Sequence, residues 1–224
     1  MRRLLVLTAV DVEARTLARH LGLAPVARDV PWFAGGSLDI AAVGLAAAHL
    51  TTRVPRPADG TLVVSAGACG ALAPELAVGA LVLPESVVAP DGRRLPTAPM
   101  GALARHGTLA SVEHVLEDAA AKSRLWLATG ALAVDMESAA ILDWAAGHGV
   151  PAAVVRAVSD PAGRGVPADL ARVVHDDGRV RPLRAVSAVL ARPRALADAM
   201  ALRAGATAAL KTVAAALGRL QRAL

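Results

Sequence analysis

Short apolar segments alternate with helical segments along the 224-residue chain, and this alternation limits the possible folds most. The apolar segments have the length of β-strands and are rich in Ala, Val and Leu, as buried strands of parallel sheets are. We therefore predict a single α/β domain over 1–224, whose central sheet is mixed, mostly parallel and twisted, with helices flanking it. The predicted strands are Arg3–Thr8, Ser37–Val43, Thr61–Ala66, Ala80–Val88, Leu109–Leu116, Ala131–Met136 and Ala152–Val158. The predicted helices are Val12–Leu21, Leu45–Arg53, Ala119–Thr129, Glu137–His148 and one or two within Pro182–Leu224.

The hydrophobic content is high, at 55% with a mean hydropathy of +0.48. No window reaches the roughly 18–20 uninterrupted apolar residues of a transmembrane helix. The apolar N-terminal run is interrupted early by Asp11 and Glu13, so a first strand is a better interpretation than a signal peptide. These features predict a cytoplasmic protein.

Cysteine and histidine give no sign of a metal centre. Cys69 is the single cysteine, and none of the six histidines has the spacing of a metal-ligand motif. We therefore predict no metal and no cofactor, with Cys69 as a small buried apolar residue.

Basic residues are concentrated near the C-terminus, within a chain of net charge +5. No aromatic side chains that could stack on bases accompany them, which argues against a nucleic-acid partner. Peripheral contact with an anionic membrane surface is one interpretation, and a solvated helical face is the simpler one. Between Arg179 and Leu224, Asp198 is the one acid, and the basic residues are Arg179, Arg181, Arg184, Arg192, Arg194, Arg203, Lys211, Arg219 and Arg222.

Two carboxylates fall at neighbouring element ends within Val134–Ala162. Glu137 opens a predicted helix, and Asp160 ends the next apolar strand. Buried carboxylates are costly without partners, so we expect both to face a cleft, where they could assist cleavage of a glycosidic bond. Arg156 lies inside the same apolar strand and needs a partner, for which these two carboxylates are the candidates.

Two other segments carry possible site residues. Glu13 lies about one turn into the first predicted helix, where it could point into a crevice at the strand ends or be an exposed acid favoured by the helix dipole. The glycine-rich turn over 65–70 would let backbone N–H groups approach a ligand. Asp135 is more simply explained as a helix N-cap.

Taken in order, these segments resemble the purine nucleoside phosphorylase/uridine phosphorylase superfamily. They are most similar to its nucleosidase branch, the 5′-methylthioadenosine/S-adenosylhomocysteine nucleosidases. The resemblance covers nearly the whole chain and is carried by VVSAGACGALAPELAVGALVLPESVV (63–88), AVDMESAAI (133–141) and VVRAVSD (154–160).

The resemblance implies a role for each site residue. Glu13 would be the base that activates water, Met136 and Glu137 would hold the ribose, and Asp160 would protonate or hydrogen-bond purine N7, oriented by Ser159. The implied reaction is hydrolysis of the N-ribosidic bond of a purine nucleoside, with adenine as the base. The resemblance also implies a homodimer or larger homo-oligomer. The other implied substrate-binding residues are Ala68, Leu116 and Arg156.

Departures from the family pattern leave alternatives open. The segment TAVDVEAR (8–15) has a carboxylate where phosphorylases carry a phosphate-binding loop, which favours water, although Arg15 keeps phosphorolysis possible. The family's base-stacking Phe is replaced around Val115, with Leu116 beside it, and 89–107 is short and lacks aromatics.

Residues 107–138 and 176–193 are also similar to the hopanoid-associated phosphorylases. That resemblance implies an alternative function, release of adenine from adenosylhopane. A further alternative is a non-catalytic nucleoside-binding protein, but binding by itself would not require Glu13.

Overall fold

The computed structural model describes residues 3–101, 103–165 and 195–223. Eleven strands of these residues form one mixed sheet. They are β1 Arg3–Thr8, β2 Ala24–Pro25, β3 Trp32–Gly35, β4 Leu38–Ala42, β5 Thr61–Ala71, β6 Leu81–Val82, β7 Ser86–Val88, β8 Arg94–Pro96, β9 Thr108–Ser111, β10 Ala133–Asp135 and β11 Ala152–Asp160.

Helices cover both faces of this sheet, so the predicted α/β class is confirmed. The described helices are α1 Asp11–Leu21, α2 Leu50–Arg53, α3 Ala119–Thr129, α4 Ser138–Gly147 and α5 Ala195–Arg222, with a 3₁₀ turn at Leu45–Ala47. The prediction of one domain over 1–224 includes residues outside the described part and stays a prediction.

Strand β5 is the centre of the sheet. Its first half pairs in parallel with β1, and residues 63–70 pair in parallel with β11. Its last residues pair antiparallel with β10, which continues the sheet through β9, β7 and β8. Because β1, β5 and β11 run in parallel, their carboxyl ends meet at one edge, where open α/β sheets bind ligands.

The core consists of two apolar layers, one on each face of the sheet. Leu4 and Val6 of β1 pack on the side of α1 and α5, and Leu5 and Leu7 pack on the side of α4. This period-two alternation with both faces buried explains why the central strands are continuously apolar.

Several predicted bounds agree with the structure. Both β1 and α3 match at each end; Asp118 accepts the Ala121 N–H at 2.6 Å to start α3, and Gly130 ends it in the left-handed conformation. The predicted strand Ala80–Val88 is instead two short strands, β6 and β7, with Pro84 between them. Proline lacks the N–H that a continuous strand would require.

The predicted helix Leu45–Arg53 is also divided. Ala46 and Ala47 have φ of 49° and 56°, so the backbone is left-handed within the 3₁₀ turn, before α2 begins. Such values are uncommon for alanine and cost about 1–2 kcal/mol each. The turn aims the Ala46 N–H at a buried carboxylate.

The C-terminal helix α5 contains one stretch, Met200–Arg222, that is long and apolar enough to cross a membrane by length and composition. Its apolar residues nevertheless pack on the sheet as part of the core; they are Ala209, Leu210, Val213, Ala214, Ala216, Leu217 and Leu220. Four basic residues of the helix are exposed: Arg203, Lys211, Arg219 and Arg222. Membrane contact stays a prediction, and the basic residues from Arg179 to Arg194 lie outside the described residues.

Candidate active site

A cavity of about 230 Å³ opens at the carboxyl ends of β1, β5 and β11. Residues from the start of α1, the end of β10 and the loop after β9 complete its walls. All eight residues singled out from the sequence line this cavity: Glu13, Ala68, Leu116, Met136, Glu137, Arg156, Ser159 and Asp160.

One end of the cavity is built around Arg156, which is 1% exposed. Its Nη2 lies 2.7 Å from Asp135 Oδ2 and 3.2 Å from Glu137 Oε2. The guanidinium also donates to the Ala68 carbonyl at 3.2 Å and to Ser65 Oγ at 3.0 Å. We call Arg156 with Glu13, Asp135 and Glu137 the Arg156 cluster. The predicted pairing with Glu137 is confirmed, whereas Asp160 does not pair with Arg156 and has a different partner.

Glu13 is a buried member of this cluster and not an exposed helix acid. Its Oε1 accepts the Ala68 N–H at 2.9 Å, and its Oε2 accepts the Ala9 N–H at 3.2 Å. Burial raises the pKa of this carboxyl, and the nearby Arg156 charge and the backbone N–H groups oppose the rise. The lack of a side chain at Gly67 lets Glu13 and Arg156 lie this close to β5, since a Cβ there would lie 2.7 Å from Glu13 Oε1 and 2.8 Å from Arg156 Nη1.

Glu137 occupies the N-cap position of α4 and is 3% exposed. Its Oε1 accepts the N–H of the left-handed Ala46 at 3.1 Å. Burial raises the pKa of this carboxyl to about 7; Arg156 opposes the rise, and the Asp135 and Glu13 carboxylates add to it. Near neutral pH this group is therefore divided between its neutral and ionised forms.

Asp135 joins the cluster to the start of α4. It accepts hydrogen bonds from the hydroxyls of Ser111, at 2.7 Å, and Ser138, and from the Ser138 N–H at 3.3 Å. The prediction that Asp135 is the N-cap is wrong, because Glu137 occupies that position, but the Asp135 carboxylate does accept the N–H of Ser138, the first residue of α4. The ion pair with Arg156 adds a second role that the sequence analysis missed.

The opposite end of the cavity is built around a second buried cation, Lys122 of α3, which is 2% exposed. Its Nζ donates to Asp160 Oδ2 and, at 3.0 Å, to the Pro161 carbonyl. The Ser159 hydroxyl lies 2.7 Å from Asp160 Oδ1 and 3.1 Å from the Cys69 carbonyl. We call Lys122, Ser159 and Asp160 the Lys122 cluster. The charged neighbour of Asp160 is therefore an ammonium.

A β-bulge in β11 directs the side chains of Ser159 and Asp160 toward the cavity. The register of β11 against β5 shifts between Val158 and Asp160, and consecutive residues Ser159 and Asp160 both line the cavity. Bulges commonly redirect side chains next to sites in this way. Gly70 leaves the necessary space, because a Cβ there would lie 3.0 Å from Asp160 Oδ2.

Much of the remaining wall is apolar, which strengthens charge interactions inside the cavity. It includes Val112, Val115, Leu116, Val134 and Met136. A neighbouring groove of about 570 Å³ shares Val112 and Met136 with the cavity. In that groove Arg93 pairs with Asp91 and Asp143 at 2.6 and 2.7 Å.

Lys122 is the main residue that sequence reasoning missed, and the ion pair of Asp135 with Arg156 was not predicted either. Lys122 lies in an otherwise unremarkable helix, and the only signal was that it is one of two lysines among many arginines. Cys69 was predicted correctly as a buried residue, and burial raises the pKa of its thiol.

Comparisons with known proteins agree with this architecture. A family model described as the phosphorylase superfamily matches residues 96–192. The chain is 34% identical over 198 residues to futalosine hydrolase of Streptomyces coelicolor, an alignment that covers 70% of this chain and 83% of that protein.

Solved structures of low sequence identity share the fold. The chain is similar to a 5′-methylthioadenosine/S-adenosylhomocysteine nucleosidase of Helicobacter pylori, with a TM-score of 0.72 and 19% identity over 100% of this chain and 99% of that one. It is equally similar to futalosine hydrolase of Helicobacter pylori, with a TM-score of 0.72 and 19% identity over 100% and 98% of the two chains.

Proposed function

Because the chain belongs to the phosphorylase superfamily, as an enzyme of the nucleosidase type, we propose that it hydrolyses the N-ribosidic bond of a purine nucleoside. The observation that carries the proposal is the charge distribution of the cavity. Four carboxyl groups line it, and its two cations, Arg156 and Lys122, are already paired with carboxylates. This surplus of carboxylates suits a sugar that becomes cationic as its base departs.

The same charges favour water over phosphate as the nucleophile. A phosphate dianion needs unpaired donors or cations. Glu13 lies beside Arg156 Nη1, and both Nη atoms of the guanidinium already donate to other partners. Phosphorolysis would have to overcome this repulsion, whereas a water molecule does not.

The sugar belongs at the Arg156 cluster in this proposal. The ionised Glu137 accepts hydrogen bonds from ribose hydroxyls, and Met136 packs against the ring. Arg156 and the Ala46 N–H hold the carboxylate in place. Glu13, whose pKa is raised by burial, takes a proton from the attacking water.

The purine belongs at the Lys122 cluster. As the C1′–N9 bond breaks, its electron pair moves to the purine, and N7 takes a proton from Asp160 while Lys122 passes an ammonium proton to that carboxylate. The water oxygen bonds to C1′ and its proton goes to Glu13. Exchange with solvent then restores Lys122 and Glu13, so the sum is nucleoside plus water giving free base and free sugar.

Two parts of the sequence analysis stay predictions. Release of adenine from adenosylhopane is an alternative within the same chemistry, and assembly into a homodimer or larger oligomer is a separate prediction. A non-catalytic binding role is disfavoured by membership of a family of nucleosidases.

The proposal is tested by measuring release of free base from purine nucleosides, including the lipid nucleoside, with and without phosphate. We expect free sugar as the product in both cases. The variant D160N should lower kcat by about 10²–10⁴-fold, as loss of a general acid does, while D59N, in an exposed loop, should leave kcat unchanged. A strict need for phosphate with a sugar phosphate as product would overturn hydrolysis, and an unchanged rate in D160N would remove Asp160 from the mechanism.

A further inference from the structure

A separate groove of about 390 Å³ lies between the last turn of α1 and the C-terminal part of α5. Its volume is within the range of small-molecule sites, about 300–1,000 Å³. Four basic side chains line it, and small residues make up most of the rest. The basic residues are His20, Lys211, Arg219 and Arg222, and the small ones are Ala214, Ala215 and Gly218. We call this the basic groove.

The basic groove is remote from the active-site cavity. Helix α5 passes the cavity at Gly205, which lies against Ser159, and it reaches the groove at Gly218. At that point a Cβ on Gly218 would lie 3.6 Å from Leu21, the last residue of α1. The helical rise between the two glycines is about 20 Å, so a ligand in the groove would occupy a different site from the nucleoside.

The charges of the basic groove are not balanced by the described residues. Exposed arginines elsewhere pair with carboxylates, as Arg3 and Arg93 do. Among the residues that the structure describes, no carboxylate lines the groove, and none forms an ion pair with its four basic side chains. Like charges around one groove repel one another, and an anion bound between them would offset this repulsion.

The helix ends account for only part of this charge. Basic residues in the last turn complement the negative end of a helix dipole, as His20, Arg219 and Arg222 do here. The two helix ends together amount to about one negative charge. Arg219 and Arg222 already exceed it, and Lys211 adds a further positive charge three turns before the end of α5. A net positive charge therefore remains.

The donor types suit a phosphate group. A guanidinium binds phosphate oxygens through paired hydrogen bonds, and an ammonium adds a point charge. The Arg222 guanidinium folds back along α5, since its Nη1 lies 3.5 Å from the position of a Cβ on Gly218. It is therefore held at the groove, with its donors close to those of the other basic residues.

The groove suits a soluble phosphate better than a membrane surface. Helices that bind membrane surfaces place large apolar side chains among the lipid headgroups. The large apolar side chains that are exposed in the described part of the chain lie elsewhere; they are Val12, Val26, Val78, Leu127 and Met200. The concave shape and small residues instead leave room for one compact molecule.

We propose that the basic groove is a binding site for a small phosphate monoester. Arg219 and Arg222 donate to the phosphate oxygens, Lys211 supplies further positive charge, and the small residues accommodate the rest of the molecule. The proposal goes beyond hydrolysis of the nucleoside and does not rest on it.

The first test measures binding to the wild-type protein by isothermal titration calorimetry. The probes are glucose 6-phosphate, inorganic phosphate and, as the uncharged match, glucose. We expect saturable binding of glucose 6-phosphate and of phosphate, and none of glucose, because the phosphate group carries the recognition. If neither phosphate compound bound, the proposal would be wrong.

The second test places a carboxylate in the groove. Ala215 and Ala204 are both exposed on α5, but only Ala215 lines the groove. A215E should weaken binding of glucose 6-phosphate by about 10-fold or more, since like charges placed together are strongly unfavourable. A204E adds the same charge to the same helix and should keep the wild-type affinity.

A matched pair of arginine variants separates a specific site from attraction by net charge. R222Q should weaken binding by about 10-fold, as loss of a charged hydrogen-bond donor does. R203Q removes the same charge from an exposed position of α5 outside the groove and should leave the affinity unchanged. Equal losses in the two variants would show attraction by net charge and overturn the proposal.

Two further outcomes would place the phosphate elsewhere. Full binding of phosphate in both A215E and R222Q would assign it to another site, such as the active-site cavity. Co-sedimentation with phosphatidylglycerol vesicles, without binding of glucose 6-phosphate, would assign the surface to a membrane. Either result would overturn the proposal. None of these measurements requires turnover, so failure of the hydrolase proposal would leave them unaffected.

Discussion

The two ends of the cavity each contain one buried cation, but they differ in how its charge is balanced. Arg156 is surrounded by three carboxyl groups, and Lys122 is paired with one. The Arg156 cluster therefore contains more carboxyl groups than cations, whereas the Lys122 cluster contains one of each.

This difference matches what the two halves of a nucleoside need during cleavage. A sugar that becomes cationic is stabilised by surplus carboxylate charge, and a base that leaves with an electron pair needs a proton and a donor. This difference between the two ends follows from the fold, because Arg156 and Asp160 lie on the same strand, four residues apart.

The largest expected effect is on stability, from removing either cation. R156M leaves Asp135 and Glu137 buried without their shared partner, which should lower the free energy of unfolding by about 3–5 kcal/mol. K122M leaves only Asp160, which keeps Ser159, and should cost about 1–3 kcal/mol. Urea denaturation of both variants and of wild type at pH 8 measures these losses.

A matched surface variant calibrates this comparison. R3M removes an ion pair with Asp39 in which the arginine side chain is 55% exposed, so the loss should stay below about 1 kcal/mol. Equal losses in R156M and K122M would show that the two clusters are balanced alike.

The next effect concerns pH and Glu137. Its pKa is raised from an ordinary value of 4.5 to about 7, so the protonated form predominates below neutrality and cannot accept sugar hydroxyls. We expect kcat/KM to rise with pH up to about 7. E137Q should lose about 100-fold in kcat/KM, comparable to removal of a charge-stabilising group, and its profile should be flatter there.

The same proton has the opposite effect on stability. Because the pKa is higher in the folded state, the contribution of Glu137 to stability is fully present below pH 4.5 and is lost as the pH rises through about 7. In E137Q the free energy of unfolding should therefore fall less between pH 4.5 and about 7 than it does in wild type. A profile identical to that of wild type would show that another group titrates there.

The last comparison is between the two close glycines, Gly67 and Gly70. A Cβ at Gly67 would overlap Glu13 and Arg156, whereas one at Gly70 meets Asp160 at 3.0 Å and Lys122 at 3.3 Å. G67A should cost about 1–3 kcal/mol, as overpacking does, and G70A less.

The control for this comparison is G147A. Nothing lies within 4 Å of a Cβ at Gly147, the last residue of α4. The variant should be neutral or slightly stabilising in thermal denaturation. A larger loss of stability in G70A than in G67A would show that side chains pack more closely around Gly70 than around Gly67, the reverse of the expected order.

Local patterns predicted the elements whose ends are marked by chemistry in the sequence. Helix α3 has Asp118 before it and Gly130 after it, and β1 is an uninterrupted apolar run. The hairpin of β2 and β3 was missed, because its pairing depends on contact with β4 and not on its own composition.

The candidate site likewise contains residues that a local pattern predicted and contacts that it could not predict. Glu137 and Asp160 stand out because carboxylates next to buried strands need partners, and all eight singled-out residues line one cavity. Lys122 reaches Asp160 across 38 positions in the chain, and the Ala46 N–H reaches Glu137 across 91. Contacts of this kind depend on how distant elements pack, which no local pattern encodes.

Strand β5 also fixes the dimensions of what the site can hold. Its backbone contacts Glu13 and Arg156 at residue 68 and lies against Asp160 and Lys122 at residue 70, with Gly67 and Gly70 marking the closest approaches. Three residues of extended chain span about 10 Å. The distance between the two ends of the cavity is thus fixed by the covalent geometry of a buried strand. The site therefore selects substrates by their length as well as by their charge.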